Sequence, residues 1–79
     1  MIYLNIKIIG ANCKNGMQLY KMATRAIEEV NSEIQLEKLD DKKAIQRYNV
    51  QNIPGLVINE KLVSQGKVLS QREISKLIT

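Results

Sequence analysis

Ile2, Leu4, Ile6 and Ile8 alternate with Tyr3, Asn5 and Lys7, the period of a strand with one buried face. Gly10 ends that pattern, and from about Lys14 to Asn31 the period lengthens. Leu19, Ala23, Ala26, Ile27 and Val30 form an apolar stripe at helical spacing, joined by Met22, with Gln18, Lys21, Arg25, Glu28 and Glu29 facing away. Asn12 is placed to cap this helix. Ile34, Leu36 and Leu39, interleaved with Gln35 and Glu37, read as a second strand polar enough for a sheet edge. Asp40 and Asp41 offer a cap to a short helix over Lys42 to Tyr48, with Ala44, Ile45 and Tyr48 inward and Asn49 closing it in a left-handed conformation. After Pro54-Gly55, the run Leu56-Val57-Ile58 lacks polar alternation and suits a strand covered on both faces. Leu62 to Gln65 follows across Asn59-Glu60-Lys61, although Glu60 stands where a tight turn prefers glycine. Ser70-Gln71-Arg72-Glu73 is a capping box with Leu69 and Ile74 at staple spacing, and Ile74, Leu77 and Ile78 are the expected buried face of a last helix.

The order is βαβαββα. Strands one and two, joined by a helix, are expected to be parallel with a right-handed crossover, and the last two form an antiparallel hairpin. The fold class is α/β, with a four-stranded mixed sheet and helices on both faces because the third strand is apolar throughout. The 79 residues are expected to form one domain, of a size that buries somewhat more than ~60% of the surface its unfolded chain exposes.

Composition narrows the chemistry. There is one cysteine, Cys13, and no histidine. No internal disulfide can form, a zinc site lacks ligands within one chain, and Ser–His or Cys–His catalysis lacks its imidazole. The apolar runs are too short to span a bilayer. Met1 to Ile9 contains Asn5 and Lys7 and precedes no small-residue cleavage site, so a signal peptide is not expected and the cytoplasm is. Three tyrosines, no Phe or Trp, and no basic Gly-x-x-Gly loop argue against a nucleic-acid partner.

The net charge is +4, which alone names no partner. Its placement adds something: residues 1–27 hold Lys7, Lys14, Lys21 and Arg25 with no acid, and the remainder balances to zero. The excess therefore lies on the strand and helix that bracket Cys13, where it would attract an anionic partner. A thiol at a helix start also faces backbone N–H groups and the positive end of the helix dipole, conditions that favour a nucleophile. The competing reading is a small buried hydrophobe. Asp40-Asp41 and Glu28-Glu29 read as caps or solvated surface rather than acid–base pairs, Lys42-Lys43 as a solvated face, and Tyr20 and Tyr48 as core packing, with Tyr3 half exposed.

Gly10-Ala11-Asn12-Cys13, then Val50-Gln51-Asn52-Ile53-Pro54 before an apolar strand, then Gly66-Lys67-Val68-Leu69-Ser70, together resemble the thioredoxin fold. More narrowly the chain is similar to the small thioredoxin-like proteins called redox-active disulfide protein 2. Their pattern is Gly-x-x-Cys-x-x-Cys, Val-x-x-x-Pro and Gly-x-x-x-Ser, and the resemblance spans essentially the whole chain. It implies that Cys13 is the attacking thiol and that Pro54 is a cis proline beside it. It also implies that Ile53 offers its backbone to an extended substrate; Asn12 and Lys14, on either side of Cys13, are expected to join Ile53 and Pro54 in binding that substrate. The second family cysteine falls at position 16, where this chain has Gly16, so no resolving thiol is present.

Two functions compete. In one, Cys13 acts alone in thiol–disulfide exchange, forming mixed disulfides with a protein thiol or with glutathione as co-substrate. In the other, the chain is a non-catalytic binding module that holds an extended peptide near Ile53-Pro54. No metal or cofactor is expected, no membrane partner either, and the expected state is a monomer or a weak homodimer.

Overall fold

A computed structural model of the chain describes residues 4–30 and 33–78. Its elements are β1 (Leu4–Ile9), α1 (Lys14–Val30), β2 (Ile34–Leu39), α2 (Lys42–Arg47), β3 (Gly55–Ile58), β4 (Lys61–Gln65) and α3 (Gln71–Ile78). The four strands form one sheet in the order β2-β1-β3-β4. β1 runs parallel to β2, from Leu4 against Ile34 to Ile9 against Leu39. β3 is antiparallel to β1 and to β4, with a bulge beside Leu56 and Val57. The polar β2 lies on an edge, as its sequence predicts, and the expectations for Ile2, Tyr3 and Asn31 fall outside the described residues.

Period-two alternation sends neighbouring residues of β1 to opposite faces. Ile6 and Ile8 join Leu56 and Ile58 on one face, under Leu19, Ala23 and Ala26 of α1 and Ile74 and Ile78 of α3. Ile9, Val50 and Val57 form a second cluster on the other face, packed by Leu39, Ile45, Tyr48 and Leu62. All four residues of β3 are buried, which is why that strand carries no polar alternation. Leu77 departs from expectation: it is 47% exposed, and the buried face of α3 is carried by Ile74 and Ile78, one turn apart.

Three local devices set the loops. Half of the capping box of α3 forms: the Glu73 N–H donates to the Ser70 hydroxyl at 3.2 Å, while the Glu73 carboxylate accepts from that same hydroxyl at 3.3 Å rather than from the Ser70 backbone N–H. Asp41 caps α2 by accepting from the Ala44 N–H at 2.9 Å, and Asn49 follows at φ 56°. The hairpin connection is two residues rather than three, since β4 begins at Lys61. Asn59 and Glu60 have φ of 51° and 69°, the positive pair that matches a tight turn to the twist of its strands.

Candidate functional site

The register places four connections at one end of the sheet. Leu39, Ile9, Gly55 and Gln65 lie side by side across it. Beyond them lie Asp40-Asp41, Gly10-Cys13, Ile53-Pro54 and the start of the β4–α3 loop. Backbone hydrogen bonds tie these connections together: the Gly10 N–H donates to the Leu39 carbonyl at 2.8 Å, and the Gly66 N–H to the Pro54 carbonyl at 2.9 Å.

Cys13, half-buried, stands immediately before the first residue of α1. Its sulfur accepts the Gly16 N–H at 3.2 Å, and its thiol donates to the Gly10 carbonyl at 3.0 Å. An acceptor on the residue before the helix, engaging the N–H of the third helical residue, is the geometry of an N-cap. The expectation that Asn12 caps α1 is therefore corrected. The Asn12 amide instead donates to the Asp40 carboxylate, because the turn that brings Cys13 to the helix start leaves Asn12 exposed toward the β2–α2 connection. Lys14 is exposed on the first turn.

Gly16 is buried, and it has no room for a side chain. A β-carbon built there would stand 2.1 Å from the Gly10 oxygen and 2.8 Å from the Ala11 α-carbon. Those neighbours are backbone, so no rotamer change relieves the contact. Gly10 is constrained from the other side: at φ +80° its β-carbon would approach that of Ile53 to 2.7 Å. The loop is thus layered, with Ile53 on Gly10 and Gly10 on Gly16 and Cys13.

The Ile53–Pro54 peptide bond is cis, and Pro54 is fully buried. The preceding segment is held by the Gln65 side-chain oxygen, which accepts the N–H groups of Gln51 and Asn52 at 2.7 and 3.2 Å. Among the described residues no hydrogen bond engages the Ile53 backbone, and its side chain is 48% exposed. Met17 in the first turn of α1 and Val68 in the β4–α3 loop are also exposed. Among the described residues no group of three or more His, Cys, Asp or Glu could hold a metal ion. No described helix is long and apolar enough to cross a membrane.

A family model for the thioredoxin domain matches residues 4–79. The chain belongs to the thioredoxin-domain family. It is 30% identical over 76 residues to a thioredoxin of Methanothermobacter thermautotrophicus, covering 96% of this chain and 99% of that protein. It is also 30% identical over 71 residues to a thioredoxin of Methanocaldococcus jannaschii, covering 90% of this chain and 81% of the relative. A solved structure described as that of a malarial protein superposes with a TM-score of 0.76, over 98% of this chain and 94% of that one. Its 14% identity makes this a likeness of fold.

One cluster escaped the sequence reading. The Lys7 ammonium donates to the Tyr48 hydroxyl at 2.9 Å and to the Glu60 carboxylate at 2.7 Å, and the Tyr48 hydroxyl donates to Glu60. The bond to Glu60, then that to Tyr48, holds the Lys7 ammonium above the ordinary lysine range. The same bond to Lys7, followed by the Tyr48 hydroxyl, holds Glu60 below the ordinary glutamate range. Tyr48 is therefore more than core packing. The available signal was Glu60 itself, a bulky acid in a turn that prefers glycine: the cluster holds it there.

Proposed function

We propose that this chain is a thiol–disulfide exchange protein of the thioredoxin family that works through Cys13 alone. In the exchange, the Cys13 thiolate attacks one sulfur of a partner disulfide. A bond forms from Cys13 to that sulfur, and the other sulfur leaves as a thiolate. A thiolate from outside the chain, of glutathione or a protein, then attacks the mixed disulfide and returns Cys13 to its free form. No net redox change occurs on this chain.

The observation that carries the reading is the packing at Gly16. A β-carbon on the third residue after the attacking cysteine would run into the Gly10 and Ala11 backbone, so a resolving side chain has no room at that position. The Gly16 N–H, bonded to the sulfur, is a donor suited to negative charge on that atom. The exposed Ile53, with its unengaged backbone, and Pro54 serve as the substrate edge, and Lys14 on the first turn adds to the positive field. We place the chain in the redox-active disulfide protein 2 branch on Gly10-x-x-Cys13, Val50-x-x-x-Pro54 and Gly66-x-x-x-Ser70, and in a reducing cytoplasm, where an external thiol is abundant.

Incubation with oxidised glutathione, followed by intact-mass measurement, tests this. The expected result is one glutathione adduct on the wild type, removed by added thiol, and no adduct on Cys13→Ser. Absence of the wild-type adduct overturns the reading. The second reading, a binding module without exchange, draws on the apolar exposure of Met17, Ile53 and Val68 around the same loop. Under it, Cys13→Ser leaves affinity for an extended peptide unchanged and the wild type forms no adduct.

A further inference from the structure

α1 buries Gly16, Leu19, Ala23 and Ala26 and turns its opposite face to solvent, where Lys14, Lys21 and Arg25 are exposed. The three are spaced seven and then four residues apart. At about 3.6 residues per turn that spacing places them within about 40° of one another around the helix axis. They form a row that starts at the residue after Cys13 and runs about 16 Å along the helix.

Among the described residues none of the three joins an ion pair. Glu29 is turned toward α3, where its carboxylate accepts from Gln71 at 2.9 Å and from Ser75 at 3.2 Å. Glu28, three residues past Arg25, marks the far end of the row. Asp40 accepts from Asn12, at the end of β2. Lys21 and Arg25, one turn apart, are like charges at a spacing that costs helix stability, with no compensating ion pair among the described residues. A partner bringing negative charge relieves that repulsion. A single file of cations suits an extended acidic chain better than a lipid surface, because Met17 is the one exposed large apolar side chain among the described residues of α1. Single-stranded nucleic acid would lack a stacking platform there, since Tyr20 is half-buried with the Lys38 ammonium 4.5 Å from its ring.

We propose that the partner whose disulfide Cys13 attacks is a protein with an acidic segment beside its reacting cysteine, and that this segment lies along Lys14, Lys21 and Arg25. An extended chain rises about 3.3 Å per residue, so about five residues span the row. The inference rests on exchange at Cys13 and names the chemistry of its partner. The test mixes the full chain with peptides whose cysteine carries thionitrobenzoate and is preceded or followed by a run of glutamate, glutamine or lysine. Cys13 bonds to the peptide sulfur, and thionitrobenzoate leaves as a coloured thiolate whose release gives the rate. At low salt the glutamate peptide, in at least one order, should react about tenfold faster than the glutamine peptide, and the lysine peptide more slowly. The difference should close at about 1 M salt, where the screening length is about 3 Å. Lys21→Gln and Arg25→Gln together change exposed side chains, and should cut the glutamate rate about threefold or more while leaving the glutamine rate unchanged. A glutamate peptide no faster than the glutamine peptide in either order overturns the inference, while release from the glutamine peptide leaves the exchange reading standing. No release from any peptide overturns both. An acid preference that survives in the double variant overturns the inference too, as does binding to vesicles of anionic phospholipid that the double variant loses in the absence of any acid preference.

Discussion

Replacing Gly16 by alanine sets two effects of opposite sign against each other. Alanine is the better helix former, by up to about 1 kcal/mol in a helix interior, so propensity alone predicts stabilisation. Packing predicts the reverse. The new methyl would lie 2.1 Å from the Gly10 oxygen and 2.8 Å from the Ala11 α-carbon, on the order of 1 Å inside ordinary contact. Overpacking costs about 1–3 kcal/mol, and opposing atoms fixed in the backbone place this case at the upper end. The net is a destabilisation of about 1–2 kcal/mol. At about 4–8 °C per kcal/mol for a domain of this size, the melting temperature falls by about 5–15 °C. Thermal unfolding followed by circular dichroism measures it. Gly16→Cys carries the same β-carbon, so it too melts lower, and mass spectrometry should find no bond from Cys13 to the new cysteine in protein of wild-type stability. A Gly16→Ala protein that melts at or above the wild type would refute the close approach and the one-thiol site built on it.

Gly10→Ala adds a left-handed penalty of about 1–2 kcal/mol to the clash with Ile53, and should lower the urea midpoint with an unchanged m-value. Ser70→Ala removes the cap of α3 and costs about 1 kcal/mol in the same assay, with Ser70→Asp recovering most of it. Stability should also depend on pH at both ends of the scale through Lys7 and Glu60. The lowered Glu60 contribution is present above the ordinary glutamate value of 4.5 and is lost as pH falls through the folded-state value. The raised Lys7 contribution is present below the ordinary lysine value of 10.5 and is lost as pH rises through the folded-state value. Lys7→Met should flatten both edges of a plot of urea midpoint against pH; unchanged edges would show that the cluster is not their source.

The fold was largely legible because its strands and helices differ in period and its caps are written in residue type. Asp41 and Ser70 cap where they stand, and the four apolar residues of β3 are covered on both faces. What was not legible depended on contacts between distant segments. Residue type favours Asn12 as the cap, and only the turn geometry assigns that part to the Cys13 sulfur and sends Asn12 to Asp40. Gly16 reads as a missing cysteine, while its lack of space comes from Gly10, six residues earlier. Leu77 continues an apolar pattern that α3 has no partner to bury. The Lys7–Tyr48–Glu60 cluster joins three elements far apart in the chain, so the only local trace of it was an acid in a glycine-type turn.

The central claim is that the folded loop makes Cys13 a reacting thiol. The rate of its alkylation by iodoacetamide, followed across pH and compared with an unfolded peptide of residues 11–16, tests that most directly. The account predicts that the folded protein reacts faster than the peptide at neutral pH and that Gly16→Ala removes the advantage. A folded protein that reacts no faster than the peptide would contradict it.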